Sequence, residues 1–178
     1  MTVIGIAAGA WSLAAAEEGT SAPRATERVG VYDSRALAYA HFCSPEAERA
    51  RNAAVADARA ARAAGDASAA AKSRALGDLQ KRMHEEVFGS APATEALEAL
   101  APRLPALQRE LGVGRLVSKW EAKALKDVPE AQRVDVTDRL VREFIVPNEK
   151  QQKVLDSMKT TKPVARWRMK VLNFFGGA

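Results

Sequence analysis

Residues 113–140, VGRLVSKWEAKALKDVPEAQRVDVTDRL, decide how this chain is read. Leu116, Val117 and Trp120 close a short apolar run, residues 121–127 supply a second and weaker one, and Val128-Pro129-Glu130 turns the chain. Val134 and Val136 then alternate with Asp135, the period of two expected of a strand, and Thr137 and Asp138 offer N-caps to a helical continuation. The stretch therefore predicts strands centred on Val117, Ala124 and Val136. One other segment reads as a good strand, RVGVYD at 28–33, centred on Val31. Nearly everything between the two reads as helix.

Working back from that stretch, Ser44 suits an N-cap with Pro45 at the first helical position. From 46 to 72, fourteen of 27 residues are alanine, the strongest helix former. Gly65 fits the left-handed position past a helix end, and Asp66 is placed to cap the next helix. The pattern predicts an antiparallel hairpin over 46–88, with limbs of about 18–22 residues, roughly 27–33 Å long at 1.5 Å per residue. Its first limb offers alanines (Ala47, Ala50, Ala54, Ala58, Ala61). The second offers Leu76, Leu79, Met83 and Val87 at spacings of three and four. These four are the candidate partner-binding residues of the arm. Further on, Leu97, Leu100, Leu104, Leu107 and Leu111 form a core-facing stripe that Pro102 and Pro105 should break or kink. The fold class that emerges is α+β and mostly helical, a small β body carrying a projecting helical hairpin.

The ends differ from the middle. Residues 1–16 contain an uncharged apolar run ending in Ala14-Ala15-Ala16, which reads as a signal peptide lacking its basic n-region; 17–27 read as a linker. The body spans 28–147, and 148–178 form a basic tail. That tail holds seven basic groups against Glu149 and Asp156, which equals the formal +5 of the whole chain. Arg166, Trp167, Arg168 and Lys170 alternate basic and apolar character before Phe174-Phe175, so they are candidate partner-binding residues as well. The segment could add a strand to the body, lie on an anionic membrane surface, or stay mobile. Nucleic acid is not expected as a partner, because stacking aromatics do not accompany the basic groups elsewhere.

Catalytic chemistry is not suggested. The chain has no Walker loop, no GxGxxG, no HExxH and no paired cysteines. His41 and Cys43 stand two apart, short of the four ligands of a structural zinc. Ser34, between Asp33 and Arg35, has no base evident in the sequence, so a helix cap is the better reading of Asp33-Ser34-Arg35. Trp120 reads as core packing where arm and sheet meet. No cofactor, metal or enzyme activity is expected.

The order of segments, a short strand (RVGVYDS), a long helical insertion, GVGRLVSKWEAKAL and then DVTDRLV, resembles the Skp (OmpH-like) family of periplasmic chaperones. In this sequence the family's elements fall on residues 29–33, 46–87, 114–120, 121–126 and 135–141, so the resemblance covers roughly 28–144. It implies a homotrimer with a shared barrel, whose arms hold unfolded outer-membrane polypeptides without ATP, in the periplasm or exported to the cell envelope. The arms here are shorter than the family's, and 148–178 extend past its pattern. The alternative is a non-catalytic cell-envelope adaptor that uses the basic aromatic tail to bind lipid or a partner.

Overall fold

Val29 and Val31 stand in the central strand of a three-stranded parallel sheet. The computed structural model describes residues 28–165 and Arg168. Strand β1 (Val29–Tyr32) lies between β2 (Arg115–Ser118) and β3 (Arg133–Asp135), with Val31 in register with Val117 on one side and Asp135 on the other. Parallel neighbours require long crossovers, and here they are helical. Five helices lie between β1 and β2: α1 (Ser34–Phe42), α2 (Pro45–Ala63), α3 (Ala69–Val87), α4 (Thr94–Leu100) and α5 (Leu104–Leu111). Helix α6 (Ala122–Leu125) and one 3-10 turn (Glu130–Gln132) lie between β2 and β3, and α7 (Thr137–Val141) and α8 (Glu149–Thr160) follow. Gly30 permits close strand packing. A Cβ there would stand 2.7 Å from Leu116 Cδ2 and 3.2 Å from the Cγ2 atoms of Val113 and Val136.

The α+β, mostly helical reading holds, and the strands at Val31 and Val117 form. The strand expected at Ala124 does not. Residues 122–125 are helical, as suits Ala-Lys-Ala-Leu without a β-branched residue. Leu125 and Val128 pack under Val29 and Val117, and the Arg133 guanidinium donates to both their carbonyls at 2.8 Å, fixing the loop. The third strand stops at Asp135, one residue short of Val136, which takes the N-cap position of α7. Thr137 and Asp138 do not cap it with their side chains. Instead Asp135 Oδ1 accepts from Thr137 N at 2.9 Å, while Thr137 Oγ1 accepts from Asp33 N at 3.0 Å.

Ser44 caps α2 by accepting from Ala47 N, with Pro45 in the first turn, and Gly65 takes φ 66 in the turn to α3. Asp66 makes a turn there, accepting from Ser68 N, rather than capping α3. Across that turn Lys72 pairs with Asp57 at 2.9 Å. Helix α3 packs on α1 as well as on α2, so the base of the arm is part of the body: Leu79 and Met83 lie against the main core and Val87 is inside it. The leucine stripe is split at Pro102 into α4 and α5. Leu100 and Leu107 are buried, whereas Leu97, Leu104 and Leu111 flank the core.

The boundary drawn at 147/148 does not follow the packing. Asn148 opens α8 with a capping box completed by Gln151, and the helix then buries Leu155 and Met158 in the main core. Its spacing of three puts both on one face, and Arg35 fastens its end. Beyond it, Val164 N donates to Phe88 O at 2.9 Å in a single parallel bridge with Gly89. The signal peptide and linker expected over 1–27, and Arg166, Trp167 and Lys170 of the tail, lie outside the described residues. Among the described residues, no helix is long and apolar enough to cross a membrane.

Candidate functional site

Two places gather unusual chemistry, and the first is the carboxyl end of β1. Asp33 follows the strand and caps α1, its Oδ1 accepting from Arg35 N at 3.0 Å. The same oxygen accepts from Arg35 Nε (3.2 Å) and Trp120 Nε1 (2.9 Å); Oδ2 accepts from Arg35 Nη2 (3.0 Å) and pairs with Lys119 Nζ (2.8 Å). Burial alone would raise this carboxyl, but the bonds from Arg35, Lys119 and Trp120 outweigh it and hold Asp33 below the usual carboxylate range. Arg35 Nη2 also donates to the carbonyls of Met158 (2.5 Å) and Thr161 (3.0 Å). Trp120 lies against both cations, with Arg35 Cζ 4.8 Å and Lys119 Nζ 4.7 Å from its ring centroid.

Parallel sheets often bind ligands beyond the carboxyl ends of their strands. Here those ends are taken up by the protein itself, since Asp33 and Thr137 are bonded to each other and Arg35 bridges to α8. Ser34 is buried, and among the described residues its hydroxyl meets no hydrogen-bond partner. The cluster is a fastening between sheet, α1 and α8. Trp120, expected as plain core packing, is a half-buried cover over an ion pair.

The second place is open and apolar. A groove of 530 Å³ runs between α1 and α3, with Tyr39, Phe42 and Cys43 on one wall and Met83, Val87 and Phe88 on the other. Val154 of α8 closes one side, and Arg51 and His84 stand at the rim. It shares Val87, Phe88 and Val154 with a 360 Å³ groove that continues past Met158 to Val164. On the other flank it shares Phe42, Arg51 and Met83 with a second 360 Å³ groove, floored by Ala47, Ala50, Ala54 and Leu79. The three make one trough. Phe88 is 54% and Val154 38% exposed, although both are large and apolar, so the trough presents apolar surface that the described residues leave uncovered.

Of the residues singled out in the sequence, Met83 and Val87 line the central groove and Leu79 the adjoining one. Leu76 is partly buried on α3, nearer the turn. Arg168 is exposed and its backbone N–H donates to Ala165 O. The opposite wall was missed, yet Tyr39, Phe42 and Cys43 stand at i, i+3 and i+4, a one-faced stripe visible in YAHFC. His41 packs its ring at 5.4 Å from Phe42 and 5.2 Å from Phe144. Burial lowers its imidazole below the ordinary value, while Glu95 pulls the other way. Among the described residues no group of three or more His, Cys, Asp or Glu is arranged to hold a metal ion.

Beside the trough, Glu86 is buried on α3. Its Oε1 accepts from Thr94 N at 3.3 Å, and among the described residues its Oε2 meets no partner. Burial, aided by Glu95 and opposed by the Thr94 bond, pushes this carboxyl up to about 7.

No family model, no curated protein and no solved structure matches this chain.

Proposed function

We propose that the protein is an ATP-independent holdase, a Skp-related chaperone of the periplasm or cell envelope that binds apolar stretches of unfolded, outer-membrane-type polypeptides. The observation that carries this reading is the trough: an apolar surface lined by pliable Met83 and aromatic Tyr39, Phe42 and Phe88, with Arg51, Lys153, Lys162, Glu46 and Glu95 among the charged groups along it. Such a surface takes varied apolar side chains. The order of strand, helical insertion and return strand agrees with the family resemblance, while the arm is shorter than the family's.

In this reading the protein works as a homotrimer. The outer edges of β2 and β3 have no strand partner among the described residues, which leaves them free to meet further copies. Light scattering coupled to gel filtration should then give three times the 19.1 kDa chain mass, and a monomer mass would remove the shared barrel.

The deciding experiment dilutes a urea-unfolded outer-membrane protein into buffer and follows turbidity. Stoichiometric amounts of the chaperone should suppress the rise without nucleotide. Unchanged scattering at several-fold excess would end the holdase reading. Export is tested separately, by N-terminal sequencing of protein from an envelope fraction, which should start near Glu17.

A further inference from the structure

The trough lies where the described chain leaves the body. Val164 bridges to Gly89 and lines one end of the trough, together with Lys162, Val87 and Phe88. The chain therefore reaches one end of the trough at Val164, five residues before position 169. The next seven residues, MKVLNFF at 169–175, include five apolar ones, with Phe174 and Phe175 adjacent. Seven residues span up to about 23 Å when extended, which is ample for a groove of this volume. A tethered segment meets its site at an effective concentration around millimolar, far above that of any free client.

We propose that residues 169–175 of the same chain occupy the trough as an internal substitute for client, which incoming polypeptide must displace. The regulatory half of this inference rests on the holdase reading; occupancy by the segment does not. Met83, Phe42 and Phe88 supply the apolar contacts, and Val164 sets the direction of entry. The arrangement would keep an exposed apolar surface from self-association while no client is present.

Cys43, the single cysteine, lines the central groove and reports on its occupancy. The test compares the rate of Cys43 alkylation by N-ethylmaleimide in the full chain and in a full-length Leu172→Asp/Phe174→Asp variant. An occupant seated four-fifths of the time slows labelling about fivefold, so the variant should label about five times faster. In a full-length Phe174→Cys variant, mild oxidation should join Cys43 to the new thiol within one chain, seen at monomer mass on a denaturing gel. Equal labelling rates, or a disulfide formed only between chains, would overturn the proposal. The two readings fail separately. If a urea-diluted client leaves Cys43 labelling in the aspartate variant unchanged, the trough is not the client site, whatever the segment does.

Discussion

Trp120 Nε1 donates to Asp33 Oδ1 at 2.9 Å across 87 residues of sequence. That bond joins the end of β2 to the end of β1 and closes the indole over a carboxylate that already receives Arg35 and Lys119. Asp33 and Arg35 are each about 3% exposed, so the pair has little solvent to fall back on. Its value to the fold is positional. Through Arg35 it also pins the last turn of α8, and α8 supplies Val154 to the trough.

Replacing Asp33 with alanine should cost about 3–5 kcal/mol, because the Arg35 guanidinium is left buried without its counter-charge. Trp120→Phe, which removes one donor and keeps the ring, should cost about 1–2 kcal/mol. Urea denaturation reads both. The folded state holds the Asp33 carboxyl below its unfolded value of 3.8, so its contribution is present above that value and is lost as pH falls through the folded one. Acid unfolding of the native chain should therefore begin below about pH 4. Asp33→Asn should be weaker at neutral pH and should show less of that acid dependence.

Glu86 works in the opposite sense. Its folded value is raised from 4.5 to about 7, so its stabilisation is complete below 4.5 and is lost as pH rises through about 7. Glu86→Gln keeps an acceptor for Thr94 N and removes the charge. The variant should gain melting temperature relative to the native chain on going from pH 5 to pH 8. His41, whose depressed imidazole favours stability at higher pH, is present in both proteins and cancels in the difference. A difference that stays constant over that range would refute the assignment.

Gly30→Ala should destabilise the sheet by about 1–3 kcal/mol through overpacking. The added methyl meets Leu116 Cδ2, which can swing, and also the branched Val113 and Val136, which can move less. Shortening Leu116 to alanine in the same chain should recover part of the loss. A double-mutant cycle by urea denaturation measures that coupling, and strict additivity would show the contact to be unimportant.

The features legible in the sequence are those set locally. Alternation of Val29 and Val31, Ser44 before Pro45, Gly65 in the arm turn and Pro102 between two leucine helices each act within a few residues, and each formed as read. The Ala124 strand failed because its apolar run was weak and lacks a β-branched residue, and Arg133, eight residues past Leu125, settles the loop around it. The Asp33 cluster draws on 33–35, 119–120, 137 and 158–161, a set that no periodicity encodes. The trough was half legible. Met83 and Val87 follow from helical spacing on α3, and the α1 stripe is visible in YAHFC, but the Val154 side exists only once Arg35 has fastened α8 to the sheet.

The last prediction separates the trough from mere surface hydrophobicity. Phe88→Asp puts a charge on the trough wall at a position that is already 54% exposed, so its effect on stability should stay within about 0.5 kcal/mol. Val154→Asp does the same from α8, at 38% exposure. Each should weaken holding of a urea-diluted client about tenfold, since a carboxylate facing an apolar segment must be desolvated for the segment to bind. Val146 supplies the control. It is 91% exposed, the most open of the three, but it lies beside Pro147 and Arg142, in a different groove from Phe88 and Val154. Val146→Asp should leave holding unchanged. If all three variants lose activity alike, the protein holds clients through general surface apolarity; if none does, clients bind elsewhere than the trough.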